Sequence, residues 1–357
     1  MRLNPIDIKK ILVIKLRAIG DVLLSTVVLR NLRAAYPDAQ IDFLTEVLSR
    51  NVVEGNPDVD SVVAFDNKNQ SGIDLILSVR RRKYDLILDL FGNPRSALVT
   101  YLSGARYRVG YRFKWRQYCY TVVVNPRGGE VHNTEFNLDA LRAVGVPIVE
   151  SSTCFPIDRS ADSFAQRFFQ EHCLLGKFVV ALNHGGGWIS KRWRIPQFSA
   201  LGDLVAERYD AKILVIWGPG ERSAAEQIQR SMNAKAILIP PCDLKQLAAI
   251  LRHSSAVITN DSGPMHIAAA VGTPVVAIFG PTRPELQGPV GAVAEIVRNE
   301  RLLCLGCNYT ECPIGNPCME ELAVNTVFAA FQRLMIKRNS QLPHQHNETE
   351  APKNKIC

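Results

Sequence analysis

The chain has 357 residues, of which 47% are hydrophobic and 21% charged, a balance that excludes a disordered or fibrous protein and suits two soluble domains of roughly 150 residues each. No apolar run approaches the ~20 residues that span a bilayer, and MRLNPIDIKK enters the first strand without the apolar core and cleavage site of a secretory signal, so a cytoplasmic protein is expected. The formal net charge of +8 fits nucleic acid, anionic lipid or anionic sugars alike and selects none of them.

In chain order, ILVIKL (residues 11–16) is an apolar run interrupted only by Lys15, the pattern of a buried parallel strand. RAIGD follows, then a helical stretch whose apolar spacing runs through Leu23, Val27, Leu32 and Ala35. IDFLTE, SVVAF and YDLILDL read as further strands, with GIDLILSVRRR as a helix between them. Such alternation implies βαβ crossovers and a parallel sheet. Asp21 closes the first strand-turn, where it serves either as a helix N-terminal acid or as a general base. Asp58 and Asp60 have the spacing of a metal-binding pair, but their place in a turn before SVVAF argues against that role. From Leu90 to Gly129 there is no Asp or Glu, while Arg95, Arg106, Arg108, Arg112, Lys114, Arg116 and Arg127 fall in that window. Interleaved Tyr107, Tyr111, Phe113 and Trp115 suit an anionic sugar or a membrane surface; a solvated basic hairpin is the plainer alternative.

After the polar linker SSTCFPIDRSADS the grammar repeats, with strands FVVALN, KILVIWG, AVIT and PVVAIFG. Domains are expected over 1–155 and 156–338, and 339–357 reads as a disordered tail in which His344 and His346 are solvated rather than metal-bound. Ligands of open α/β sheets bind beyond the carboxyl ends of the strands, and three segments lie there. In HGGGWISKRW, Gly186 and Gly187 belong to a glycine run whose entropic cost implies close approach to a ligand, with Lys191 and Arg192 in reach of a phosphate; a flexible loop with solvated cations is the alternative. In WGPGE, Glu221 accepts from a ribose diol or merely opens a helix. In NDSGPMH, residues Asn260, Asp261 and Ser262 are capping types and Gly263 admits an anion to the backbone, which makes a diphosphate site; His266 faces that ligand or packs in the core. Further on, Cys304, Cys307, Cys312 and Cys318 have the density of a structural zinc or iron site set apart from the donor, although four free thiols fit as well.

Together these segments resemble glycosyltransferase family 9, the bacterial heptosyltransferases of lipopolysaccharide inner-core synthesis. The resemblance rests on the opening strand with Gly20-Asp21, on Lys191 followed by Trp193 and Pro196, and on NDSGPMHIAAAVGTPVVAIFGPT, in this order and spacing. It implies an α/β GT-B fold, two Rossmann-like domains with parallel sheets facing across a cleft, and inverting transfer that needs no metal. Asp21 matches the family's proposed base and Lys191 its diphosphate-binding lysine; Gly186, Gly187, Asp261, Ser262, Gly263 and His266 fall in the donor site, and Glu221 matches its ribose acid. Gly20, Arg95, Arg108 and Arg112 are implied on the acceptor side. The implied donor is ADP-L-glycero-D-manno-heptose and the acceptor an anionic, lipid-linked oligosaccharide, met by peripheral contact with the cytoplasmic face of the inner membrane. Rival readings are a GT-B enzyme that moves another sugar or modifies protein, and a catalytically silent nucleotide-sugar binder, which intact Asp21 and Lys191 disfavour. No recognition motif supports nucleic-acid binding.

Overall fold

A computed structural model describes residues 7–341. The chain divides into two compact units, Met1–Pro156 and Ile157–Cys357. The first holds β1 (Lys10–Ile14), β2 (Gln40–Glu46), β3 (Ser61–Phe65), β4 (Leu86–Asp89), β5 (Tyr107–Tyr111) and β6 (Val122–Val124), hydrogen-bonded in the order β3-β2-β1-β4-β5-β6. The second holds β7 (Val179–Asn183), β8 (Lys212–Ile216), β9 (Ala236–Leu238), β10 (Ala256–Asn260), β11 (Val275–Ile278) and β12 (Ala294–Val297), in the order β12-β11-β10-β7-β8-β9. Every strand pairing in both sheets is parallel. Counted from its own first strand, each sheet has the doubly wound Rossmann order, so the α/β GT-B class is observed.

Burial explains which strands the sequence announces. The central strands β1, β7 and β10 are almost wholly buried and apolar, as ILVIKL, FVVALN and AVIT predict. The outer strands β5, β6, β9 and β12 are short and only partly buried: β6 and β9 are apolar pieces of three residues, and polar or aromatic residues interrupt β5 and β12. The segment after Tyr107 is therefore two parallel strands rather than a basic hairpin. The long first helix is also divided, into Ile19–Ser25 and Val27–Ala35. At the break, the Ser25 and Thr26 hydroxyls donate to the carbonyls of Val22 and Leu23, each at 2.7 Å, the local competition that bends helices.

In the first unit, helices Ile19–Ser25, Val27–Ala35, Arg50–Val53 and Asn133–Ala143 form one connected layer. Helices Gly72–Arg82 and Pro94–Leu102 and the 3₁₀ segment Lys114–Cys119 form another. Right-handed crossovers along this strand order place the two layers on opposite faces of the sheet. The last helix, Val324–Gln341, packs on β11 and β12. It includes the first residues of the expected tail; the rest of that tail, with His344 and His346, lies outside the described residues. Among the described residues no helix is long and apolar enough to cross a membrane.

Candidate active site

In each sheet the strand order reverses between the first and fourth strands of its unit, and such switch points open crevices at the carboxyl ends. In the first unit this point lies between β1 and β4. Lys15 leaves β1 there, and its Nζ donates to the Leu90 carbonyl at 3.0 Å, just beyond β4. Burial pushes the Lys15 amine below its ordinary range, opposed by the negative charges of Asp21 and Asp89. Asp89 is itself buried, which raises its carboxyl; it accepts from the Gly92 and Phe91 N–H groups and from the Tyr120 hydroxyl at 2.8 Å. Tyr120 reaches it by lying across β5 at Gly110, where a Cβ would sit 2.3 Å from the Tyr120 ring. Asp21 and Gly20 occupy the first turn of helix Ile19–Ser25, and Asp21 accepts from the Ala18 N–H at 3.3 Å. That weak cap leaves most of the carboxylate's accepting capacity unused.

The basic window divides by strand end. Arg95 opens the helix that follows β4, exposed beside the switch point, and bonds Asn67 at 2.6 Å. Arg112 directly follows β5 at its carboxyl end and is exposed. Arg108 is near the other end of β5, and its guanidinium donates to the carbonyls of Cys119 and Ala105 at 3.1 and 2.6 Å. Its position and its bonds make it a tie within the fold, whereas Arg95 and Arg112 stand at the carboxyl edge of the sheet. Asp58 and Asp60 likewise serve as ties, to Arg30 and Arg33 respectively.

In the second unit the switch point lies between β7 and β10. Their ends are joined by side chains: Asn183 Nδ2 donates to the Thr259 and Ser262 hydroxyls, both at 2.8 Å. Buried Asn260 donates to the His184 carbonyl at 2.7 Å and accepts from the Trp193 N–H at 3.2 Å. These two asparagines hold the glycine loop against the start of helix Gly263–Ala270. Asn183 escaped the sequence reading because a polar residue closing an apolar strand signals only a strand end. Of the three capping types Asn260, Asp261 and Ser262, the N-cap is Ser262, whose hydroxyl donates back to the Asn260 carbonyl instead of capping the helix.

Lys191 is mostly buried, with Nζ 2.7 Å from Asp261 Oδ2 and 4.4 Å from the Trp188 ring centroid. Asp261 also accepts from the Thr282 hydroxyl at 2.6 Å. Asp261 thus orients the lysine instead of presenting a carboxylate to an anion. Arg192 donates through Nε to the Gly186 carbonyl at 2.9 Å. Glu221 accepts from the Gly218 N–H at 2.9 Å and the Gly186 N–H at 3.3 Å, and a Cβ on Gly185 would sit 2.3 Å from its carboxylate. Gly186 is buried and Gly187 exposed. Burial lowers the imidazole pKa of His184. His266 is buried within its helix, one turn from Gly263.

The cysteine segment is held against the lysine loop. Among the described residues no group of three or more His, Cys, Asp or Glu is arranged to hold a metal ion, so nothing there supports the expected zinc or iron at Cys304, Cys307, Cys312 and Cys318. These four are free thiols, and Cys318 is buried in the core of the second unit. Burial, together with the nearby sulfurs of Cys304, Cys307 and Cys312, pushes the Cys318 thiol up to about 11. Nor does the segment stand apart from the lysine loop. Ser190 donates through its hydroxyl to the Tyr309 carbonyl at 2.7 Å and through its N–H to the Thr310 carbonyl at 3.4 Å. The segment is itself held by N–H bonds from Gly306 and Asn308 to the carbonyls of Gly280 and Pro281.

Comparison with known proteins finds relatives of one family. The family model described as glycosyltransferase family 9 (heptosyltransferase) matches residues 73–317. Lipopolysaccharide heptosyltransferase 3 of Escherichia coli is 29% identical over 279 residues, covering 74% of this chain and 81% of the relative. A solved glycosyl transferase family 9 structure from Veillonella parvula superposes with a TM-score of 0.83 at 25% identity, covering 94% of this chain and 99% of that one. The E. coli heptosyltransferase WaaC with ADP superposes with a TM-score of 0.71 at 20% identity, covering 91% and 99%.

Proposed function

The chain belongs to glycosyltransferase family 9, and from that membership we propose that it moves a heptose from ADP-L-glycero-D-manno-heptose to an anionic inner-core acceptor of lipopolysaccharide. The observation that carries this reading is the β7–β10 switch point, where a glycine loop, a helix start and a pinned lysine converge. Backbone N–H groups at a helix N-terminus and a nearby ammonium favour a diphosphate. The ADP held by the WaaC structure fits this donor class.

In this reading Asp21 takes the proton from an acceptor hydroxyl, whose oxygen attacks the anomeric carbon as the bond to ADP breaks, with inversion. Lys191 and the N–H groups of Ser262 and Gly263 stabilise the departing diphosphate, in place of a divalent cation. Each such preorganised donor contributes about 3–4 kcal/mol to a transition state of this kind. Arg95 and Arg112 attract the acceptor's anionic groups, and a lipid-linked acceptor brings the enzyme to the cytoplasmic face of the inner membrane. The test is Asp21→Asn assayed with ADP-heptose and an inner-core acceptor. Turnover falls at least ~100-fold, the usual cost of losing a general base, while ADP affinity measured by calorimetry is unchanged. Turnover above about a tenth of wild type removes Asp21 from the role.

A further inference from the structure

Three consecutive segments of the first unit each turn a pair of large apolar side chains to solvent. Helix Gly72–Arg82 exposes Ile73 and Leu77, with Leu75 and Val79 facing inward. Helix Pro94–Leu102 exposes Leu98 and Tyr101, and the 3₁₀ segment Lys114–Cys119 exposes Trp115 and Tyr118, the last 78% accessible. The first segment packs on the second and the second on the third, so the pairs belong to one layer. Scattered exposed apolar residues need no explanation, but six in one layer do.

The charges of this layer have one sign. Between Gly72 and Cys119 there are ten Arg and Lys and three acids, Asp74, Asp85 and Asp89. Asp89 is buried, and Asp85 accepts from the backbone N–H groups of Lys9 and Lys10. Only Asp74 is left exposed, at the start of its helix. Arg80 and Arg81 extend the Ile73–Leu77 stripe, while Arg95 and Lys114 adjoin the other two pairs. Aromatic and aliphatic groups among long cationic side chains are what an interfacial segment presents to acidic headgroups. A protein partner with a dry interface core would leave these cations without counter-charges.

We propose that this layer, formed by helices Gly72–Arg82 and Pro94–Leu102 and the segment Lys114–Cys119, docks the protein on an anionic bilayer, Trp115 and Tyr118 entering the headgroup zone. The choice of a bilayer as occupant rests on the proposed lipid-linked acceptor, but the test reads binding alone and does not depend on any transfer activity. Full-length protein is sedimented with vesicles of phosphatidylglycerol and phosphatidylcholine, and with phosphatidylcholine alone. Binding is expected only to the former and weakens as salt rises, since the attraction is screened over about 8 Å at physiological ionic strength. Each cation near such a surface is worth about a fivefold change in partition, so Arg80→Glu with Arg81→Glu lowers binding at least about tenfold. Brominated acyl chains quench a tryptophan emission that is missing from Trp115→Phe. Ile73→Ser with Leu77→Ser weakens binding, whereas the exposed pair Val47 and Leu48, outside this layer, tolerates the same change. Equal loss from both pairs, or unquenched Trp115 in the bound wild-type protein, overturns the proposal. So does absence of vesicle binding with a concentration-dependent dimer that Trp115→Ser dissociates, which assigns the layer to a second copy of the chain.

Discussion

Asp261 is buried, and its Oδ2 takes both the Lys191 ammonium and the Thr282 hydroxyl. If Lys191 meets a diphosphate, Lys191→Ala weakens ADP binding about 10- to 100-fold, the loss of one charged hydrogen bond. Calorimetry with ADP measures it, and unchanged affinity places the lysine outside the donor site. Ser190→Ala removes the hydroxyl bond to Tyr309 and leaves the lysine in place but less firmly held. Its expected effect on kcat/KM is smaller, about three- to tenfold, in keeping with one neutral hydrogen bond. Asp21, Lys191 and the glycines were legible because each follows a strand recognisable from its apolar run. The partners that fix them were not, since Asn183 meets Thr259 and Lys15 meets Leu90 only when distant strands pair.

Strand ends sort the basic window, with Arg112 at the carboxyl end of β5 and Arg108 near the other. Arg112→Glu should depress use of a phosphorylated acceptor, an effect that shrinks with salt, whereas Arg108→Ala should lower the melting temperature because two carbonyls lose their donor. Equal melting temperatures for the two variants contradict this division. The window's charge was plain in the sequence; its sorting was not, because Arg108 and two tyrosines interrupt β5 and β6 is only three residues long. The far edge of the second sheet depends on charge as well. Glu295 of β12 is buried, which opposes its ionisation, but bonds from Lys337 and Arg333 of the last helix outweigh this and hold its carboxyl below the ordinary range. A depressed folded-state pKa contributes stability above the unfolded glutamate value of about 4.3, and that stability is lost as pH falls through the folded value. Glu295→Gln should therefore lower the melting temperature at pH 7, while the gap from wild type closes as pH falls below about 4. A gap that persists at low pH would attribute the loss to packing.

At the scale of the whole molecule, each unit has its own hydrophobic core, and multi-domain chains commonly depart from two-state unfolding. Gly110→Ala forces a methyl into the Tyr120 ring and should destabilise the first unit by about 1–3 kcal/mol, the usual cost of overpacking. Saturating ADP should raise the melting transition of the second unit in wild type and variant alike; a rise confined to the first unit would put the nucleotide on the wrong lobe. Two cores could be expected from length and from the repeated strand grammar. The shared winding order was hidden, because order depends on which strands pair and not on their sequence succession. That winding also has a kinetic consequence. With every pairing parallel, no hairpin forms early: Ile11 of β1 meets Leu86 of β4, and Val180 of β7 meets Ala256 of β10, only after whole crossovers have emerged. Long-range closure of this kind folds slowly and leaves unpaired edges exposed meanwhile. During synthesis the first sheet is complete in sequence before β7 has been made, so its edges need wait for nothing downstream. Refolding of the whole chain from denaturant lacks that vectorial head start, and its yield should fall as protein concentration rises, more steeply than the yield of the same chain released from the ribosome.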